Sequence, residues 1–360
     1  MKFMENLFRL LLLLLLILVA YFVYRMQQKP EAVTQNTPLP QENQTIILFW
    51  TLLFAHSWPF EGIRHCGTYA CYFTENKDYY YKSSAVVFHS SGAHFLSDFL
   101  EVFSLERNQS QMWVYMNGES PVRSPIHYFL KRPLFNWTMT YRLDSDIKGT
   151  YALVFPGQFK SGFDHQRNYL KGKTIEVSAL ISHCVYDRLK AVRSLMKYID
   201  VNLMGTCNGK WLSVTESHSQ IKHSKFFLAF ENSLCVDYIT EKTYRNAYTN
   251  EAVPVILSGA NLSNPLIVPP GSYIDASKFK TAKELADYLK YVGESKERYN
   301  KFFEWRNKWN IDTDSWNTRW CHLCEKIHKN SKLDSQQYYT DLSGLYDRKR
   351  ECKPYIKWND

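Results

Sequence analysis

The chain has 360 residues, is 45% hydrophobic and 16% aromatic, and carries a formal net charge of +9 at pH 7. This length accommodates two domains, and the aromatic content supplies ample core and sugar-stacking surface. The basic residues are scattered rather than blocked, which argues against a nucleic-acid-binding protein and favours one that handles anionic nucleotide-sugars. In chain order, a short head at 1–9 precedes an unbroken apolar run, Leu10 to Tyr24, flanked by Arg9 and Arg25. The run is short for a spanning helix, so a cleaved signal peptide is the rival reading. The bulky Val19-Ala20-Tyr21-Phe22-Val23-Tyr24 offers no small-x-small cleavage site. Leu7 and Phe8 extend the span if Arg9 snorkels, and short spans suit the thin membranes of the early secretory pathway. Positive charge on both sides leaves the orientation open. The short head and the large domain that follows favour a transmembrane signal anchor at 10–25 with its C-terminal side in the lumen. Residues 26–44, rich in Gln, Pro, Thr and Asn, read as a flexible stem.

The first domain is expected over 45–172. Strand candidates are Ile46–Trp50, Ala85–Phe88, Met112–Met116, Met139–Leu143 and Tyr151–Phe155, with a helix over Phe95–Phe103. A second domain is expected over 173–330. Its strand candidates are Thr174–Ile181, Val201–Met204, Phe226–Phe230 and Val253–Leu257. Its helices are Tyr186–Ile199, apolar at Leu189, Val192, Leu195, Met196 and Ile199, then Thr240–Tyr248 and Lys283–Tyr291. Short apolar strands alternating with helices predict α/β domains with parallel sheets covered on both faces. Residues 331–360 read as a C-terminal extension.

The eight cysteines are an even number in a chain read as luminal, where disulfides are the default. Cys66 and Cys71 open the first domain and Cys321-x-x-Cys324 closes the second. A zinc site built from the four is the alternative, placed second because of the compartment. Cys184 and Cys207 read as a further pair; Cys235 and Cys352 stay unassigned. Sequons at Asn43, Asn108, Asn136 and Asn261 add to a secretory address.

Three segments carry chemistry. Phe226–Phe230 runs as a strand into Glu231-Asn232-Ser233, and Thr240-Glu241-Lys242 opens a helix, which is where open α/β sheets bind nucleotides. Lys242 is a candidate cation for a leaving diphosphate, although a capped helix start with solvated charges reads the same way. Arg188, opening the helix after Ser182-His183-Cys184, is a second phosphate candidate or a surface arginine. Glu119, in Met116-Asn117-Gly118-Glu119-Ser120-Pro121, sits at a strand's carboxyl end, where a carboxylate can act as general base or merely close a turn. Asp144-Ser145-Asp146 has the spacing of a divalent-metal site. A structural or substrate-shaping role is preferred for it, because the donor segment offers no matching ligands.

Phe226 to Lys242 resembles, almost residue for residue, the donor-binding motif of the α1,3-fucosyltransferases, glycosyltransferase family 10. Asn246-Ala247 and Val253-Pro254-Val255-Ile256 continue the likeness, and Met116–Pro121 is similar to the family's acceptor-side motif. The likeness spans most of 85–325 and leaves out the stem and residues 331–360. It implies two Rossmann-like domains facing a cleft, the GT-B type. It also implies GDP-fucose bound through Asn232, Tyr238, Glu241 and Lys242, joined by Arg188, and Glu119 as the proposed base. Asn232 and Glu241 would hold ribose or fucose, and Tyr238 would pack on the sugar or reach a phosphate. The family ties its N-terminal cysteines to its C-terminal Cys-x-x-Cys, with the partner choice of Cys66 and Cys71 open.

The implied activity is inverting α1,3-fucosyl transfer from GDP-fucose to a GlcNAc residue of a glycoprotein or glycolipid glycan. It would run in the Golgi membrane as a single-pass type II protein with a luminal catalytic domain. No metal is required, Mn²⁺ or Mg²⁺ being optional stimulants, and no nucleic acid takes part. The alternatives are the same scaffold with another nucleotide-sugar, or a non-catalytic luminal glycan-binding protein. His183 replaces the usual Asn of Ser-Asn-Cys, and Val122-Arg123-Ser124-Pro125 replaces Ser/Thr-His-Ser-Pro. Contacts at these two places therefore differ from those of better-known members, and the acceptor glycan stays open.

Overall fold

The computed structural model describes residues 40, 41, 43–54, 56–90, 95–124, 128–159, 162–209, 211–334 and 337–358. The head at 1–9 and the anchor expected at 10–25 lie outside these residues, as does nearly all of the stem. Among the described residues no helix is long and apolar enough to cross a membrane.

The first sheet contains β1 (Thr45–Phe49), β2 (Gly62–Cys66), β3 (Tyr69–Thr74), β4 (Ala85–His89), β5 (Met112–Asn117), β6 (Trp137–Thr140) and β7 (Ile147–Lys148), in the order β2-β3-β1-β4-β5-β6-β7. All neighbours are parallel except the β2–β3 hairpin. β4 and β5 are buried along their whole length. They show the near-continuous apolar run of a strand covered on both faces. On one face Phe88, Trp113 and Tyr115 pack against Phe99 and Val102 of α1 (Phe95–Val102). On the other, Val87, Val114 and Met116 pack against Trp320, Leu323 and Ile327.

The second sheet is parallel throughout, in the order β10-β9-β11-β13-β14. Its strands are β9 (Ile175–Leu180), β10 (Val201–Met204), β11 (Ser224–Phe230), β13 (Val253–Leu257) and β14 (Ile274–Asp275). The alternation along β11 sends Phe226, Leu228 and Phe230 to the face covered by α2 (Tyr186–Leu195) and α4 (Ala282–Gly293). Phe227 and Ala229 face α3 (Val214–Lys222) and the segment Lys242–Tyr248. The chain leaves β9 toward β10 on one side and returns through β11 on the other. The carboxyl ends of β9 and β11 therefore flank a topological switch point, the place where such sheets take ligands.

Several sequence expectations need correcting. The helix expected over 240–248 is a π-helix, Lys242–Tyr248, closed by an i→i+5 bond from the Thr249 amide to the Tyr244 carbonyl. The strand expected at 151–155 does not join the first sheet. It forms β8 (Leu153–Pro156), antiparallel to β15 (Trp309–Asp312). Residues 315–330, assigned to the second domain, belong to helix α6 (Ser315–Asp334), which packs on the first sheet because Trp320, Leu323 and Ile327 find their apolar partners there. The segment 331–360 is no appendage. Leu342 and Tyr346 enter the core of the first sheet, Trp358 enters that of the second, and β16 (Cys352–Lys353) pairs with β12 (Leu234–Cys235) inside the donor segment.

All eight cysteines are bonded, as Cys66–Cys321, Cys71–Cys324, Cys184–Cys207 and Cys235–Cys352. The first two tie the β2–β3 hairpin to α6 across 255 and 253 residues. Closing a loop of that length restricts the unfolded chain strongly, by about 5 kcal/mol for the first bond in the chain-entropy account; the second, formed beside it, closes a much shorter loop and adds less. Cys71 and Cys324, which with His328 form a potential three-ligand metal cluster, are thus consumed by a disulfide. Non-reducing peptide mapping is expected to recover these four pairs. Cys66 joined to Cys324, or a free Cys352, would contradict the arrangement.

Of the four sequons, Asn43, Asn108 and Asn261 are exposed. Asn136 is not: it is 6% exposed, its amide donates to the Gln337 carbonyl, and its carbonyl oxygen accepts from the Trp113 amide. A glycan there is incompatible with this packing, so Asn136 leaves the set of expected sites.

Candidate active site

The site forms where loops of the first sheet meet the switch point of the second. Glu231 follows the end of β11, and its side chain is 0% exposed. A carboxylate buried so completely needs partners. It has them in the Thr240 amide at 2.8 Å, the Thr240 hydroxyl at 2.9 Å and the Lys242 ammonium at 3.1 Å. Lys242, 13% exposed, also donates to the Thr240 hydroxyl at 2.8 Å and to Glu241 at 3.1 Å. Burial works against the Lys242 charge, but Glu231 and Glu241 outweigh it and hold the pKa above the ordinary lysine value. Burial pushes the Glu231 carboxyl up against the pull of Lys242. Glu241, also opposed by burial, is held below the usual carboxylate range by Lys242. The cation expected for phosphate is therefore first the counter-ion of a buried glutamate.

The loop between β11 and the π-helix is tightly constrained. Asp237 sits at φ 57°, the left-handed region, and Ser258 donates to the Tyr238 carbonyl at 2.6 Å. A Cβ on Gly259 would come within 2.3 Å of the Leu234 carbonyl oxygen, so only glycine lets β13 exit beneath this loop. The disulfide Cys235–Cys352 and a hydrogen bond from the Tyr355 hydroxyl to the Glu231 carbonyl at 3.0 Å hold it from the C-terminal side.

The first sheet contributes the loop after β5. Asn117 accepts from the Glu119 amide at 2.8 Å and turns the chain toward the cleft. The Tyr238 hydroxyl then donates to the Glu119 carboxylate at 3.2 Å, and the hydroxyls of Ser120 and Ser233 meet at 2.5 Å. The Tyr151 hydroxyl donates to the Gly118 carbonyl at 3.1 Å. Its phenol is pushed well above its ordinary value by burial and then by Glu241, Glu119 and Glu231.

Arg188, at the start of α2, is 2% exposed. Its guanidinium donates to the carbonyls of Phe230 and His183, joining the ends of β11 and β9, while its Nε is buried with no hydrogen-bond partner among the described residues. Burial lowers its pKa. His183 is pushed down by burial and then by Arg123 and Arg188, which favours a neutral imidazole. One cleft of about 350 Å³ is lined by Glu119, Arg188, Asn232, Tyr238, Glu241 and Lys242, every donor-side and catalytic candidate of the sequence reading. A carboxylate from one sheet thus faces a set of cations at the switch point of the other, an arrangement suited to moving a group off a diphosphate.

The family model described as glycosyltransferase family 10 (fucosyltransferase), C-terminal part, matches residues 170–345, and the fucosyltransferase N-terminal model matches 42–152. Human "Alpha-(1,3)-fucosyltransferase 7" is 30% identical over 319 residues, 87% of this chain and 89% of the relative. The chain belongs to glycosyltransferase family 10, the fucosyltransferases. Mouse "Alpha-(1,3)-fucosyltransferase 4" is 34% identical over 249 residues, 67% of this chain and 57% of that protein. A solved structure described as an α1,3-fucosyltransferase with GDP-fucose is 16% identical, covers 81% of this chain and 93% of its own, and gives a TM-score of 0.47.

This family 10 glycosyltransferase binds up its Asp144-Ser145-Asp146 triplet in the protein itself. Arg142 clasps Asp144 with bonds of 2.9 and 2.8 Å. Asp146 accepts from the Thr138 amide and hydroxyl and from the Tyr339 hydroxyl, at 2.8 to 2.9 Å. The two carboxylates serve different partners and do not converge as a ligand pair. Sequence reasoning missed Glu231 and Thr240 as the scaffold of Lys242, and Arg245 and His218 on the cleft wall. Arg245 had a readable signal, since three residues past Lys242 it falls on the same helical face. α3, which carries His218, was announced by the capping box Ser213-x-x-Glu216. A larger cavity, of about 910 Å³, is lined by Phe155, Phe159, Glu251 and Arg306 and shares no residue with this cleft.

Proposed function

We propose that this enzyme is an inverting α1,3-fucosyltransferase that moves fucose from GDP-fucose to a GlcNAc residue of a glycoprotein or glycolipid glycan. The observation that carries the reading is the cleft itself, which brings Glu119 opposite Lys242, Arg188 and Arg245. Glu119 takes the proton of the acceptor hydroxyl as its oxygen attacks the anomeric carbon from the face opposite GDP. Charge then builds on the departing diphosphate, and the cations at the switch point stabilise it. Asn232 and Glu241 hold the donor's hydroxyls. Tyr238, bonded to Glu119, orients the base rather than reaching a phosphate. Two α/β sheets contributing to one cleft suit a GT-B arrangement. Four disulfides suit the oxidising lumen, and with the apolar run at 10–24 they support a single-pass type II protein of the Golgi membrane.

Competition of GDP-fucose against UDP-sugars tests the donor. GDP-fucose is expected to be the one used, and transfer from a UDP-sugar at a comparable rate would overturn the reading. We further expect transfer to persist in excess EDTA, with Mn²⁺ or Mg²⁺ stimulating at most, because Asp144 and Asp146 are committed to Arg142, Thr138 and Tyr339. Complete loss restored only by Mn²⁺ would overturn this.

A further inference from the structure

A second groove, of about 830 Å³, adjoins the donor cleft and shares Asn232 with it. Its charge is one-sided: Arg123, Arg348, Lys349, Lys353 and Lys357 line it, against the single carboxylate of Asp187. Arg348, Lys349, Lys353 and Lys357 are exposed, and none of them forms an ion pair among the described residues. The Arg123 Nε is buried there without a hydrogen-bond partner among the described residues. Beside these cations the ring of Tyr186 stands 73% exposed, an aromatic face of the kind that stacks on a sugar ring.

This basic segment is not a loose tail. Glu351, within it, is ion-paired to Arg142. Cys352 is bonded to Cys235, Lys353 is in register with Leu234, and Tyr355 donates to the Glu231 carbonyl. Four attachments thus fix four unpaired cations beside the donor loop. They do not serve the donor diphosphate, because the donor cleft has its own cations in Lys242, Arg188 and Arg245 and none of the tail cations lines it. A fixed field of one sign selects a ligand of the opposite sign.

We propose that this groove holds an acidic substituent of the acceptor glycan, a carboxylate or a sulfate ester, with Tyr186 against a neighbouring sugar ring. The proposal rests on the glycan-acceptor reading above and adds the charge of the acceptor to it.

The test is direct binding to the full-length chain saturated with GDP. Neutral, carboxylated and sulfated forms of one GlcNAc-containing acceptor are compared at low salt and at about 0.5 M salt. Fucose transfer is measured in parallel. An acidic form is expected to bind about tenfold tighter than the neutral one at low salt, the sum of a few exposed ion pairs. The carboxylate and sulfate arms show which acid is preferred. The advantage should vanish at high salt and in Lys349→Gln/Lys353→Gln/Lys357→Gln, which should keep parent GDP affinity and parent binding of the neutral acceptor. Equal binding of neutral and acidic forms, or an acidic preference that survives the triple substitution, overturns the inference. So does loss of GDP affinity in the variant, which would assign the charges to the donor. Groove-dependent binding of an acidic glycan without transfer to any acceptor would leave this inference standing and overturn the proposed function instead.

Discussion

Glu119→Gln is expected to lower fucose transfer by about 10²–10⁴-fold, the usual consequence of removing a positioned base, while GDP affinity stays near that of the parent. Glutamine keeps the size of the side chain and still accepts from the Tyr238 hydroxyl, which now donates to Glu119 at 3.2 Å. The turn is also kept, because Asn117 bonds the residue 119 backbone amide and not its side chain. What is lost is the ability to take a proton. Calorimetry with GDP and a labelled-fucose assay on the same preparation separate the two effects. Transfer close to the parent rate would remove Glu119 as the base and make Glu241 the carboxylate to examine. Glu231 cannot replace it, since it is fully buried and committed to Thr240 and Lys242.

Lys242→Ala is expected to fail differently, losing stability and GDP affinity together. Removing the ammonium leaves Glu231 buried with hydrogen bonds but no counter-ion, a change that typically costs about 3–5 kcal/mol. It also removes a cation from the wall of the cleft proposed to hold the diphosphate. The two losses can be separated. Glu231→Gln/Lys242→Met replaces the pair by neutral groups of similar size and should regain much of the thermal stability without regaining GDP affinity. Lys242→Ala with parent thermal stability would show that Glu231 does not depend on this lysine. A double variant with parent GDP affinity would show that Lys242 does not act on the donor.

The parts of the fold that were legible in the sequence are those where one local signal dominates. β1, β4, β5 and β13 are short apolar runs ending in or followed by polar residues, and a strand buried on both faces leaves that trace. The donor segment was legible because strand, polar loop and helix start follow one another without interruption. The illegible parts depend on contacts distant in sequence. Nothing local in Trp320, Leu323 and Ile327 says that α6 crosses back to the first sheet. Nothing near Cys352 names Cys235, 117 residues away, as its partner. The role of Glu231 was hidden for the same reason: an acidic residue after a strand reads as a ligand, and only burial turns it into the anchor of Lys242. Asn136 shows the converse, since its sequon is intact and only packing removes it.

In the proposed mechanism one base on the first sheet and cations on the second drive a single displacement. The stereochemistry of the product tests it most directly. The full-length protein is incubated with GDP-β-fucose and N-acetyllactosamine, and the product's linkage and anomeric configuration are read by NMR. Fucose in the α configuration on O3 of the GlcNAc is the predicted result. Fucose in the β configuration would mean retention, which needs a nucleophile or a same-face attack, and would contradict Glu119 as the lone base of a direct displacement.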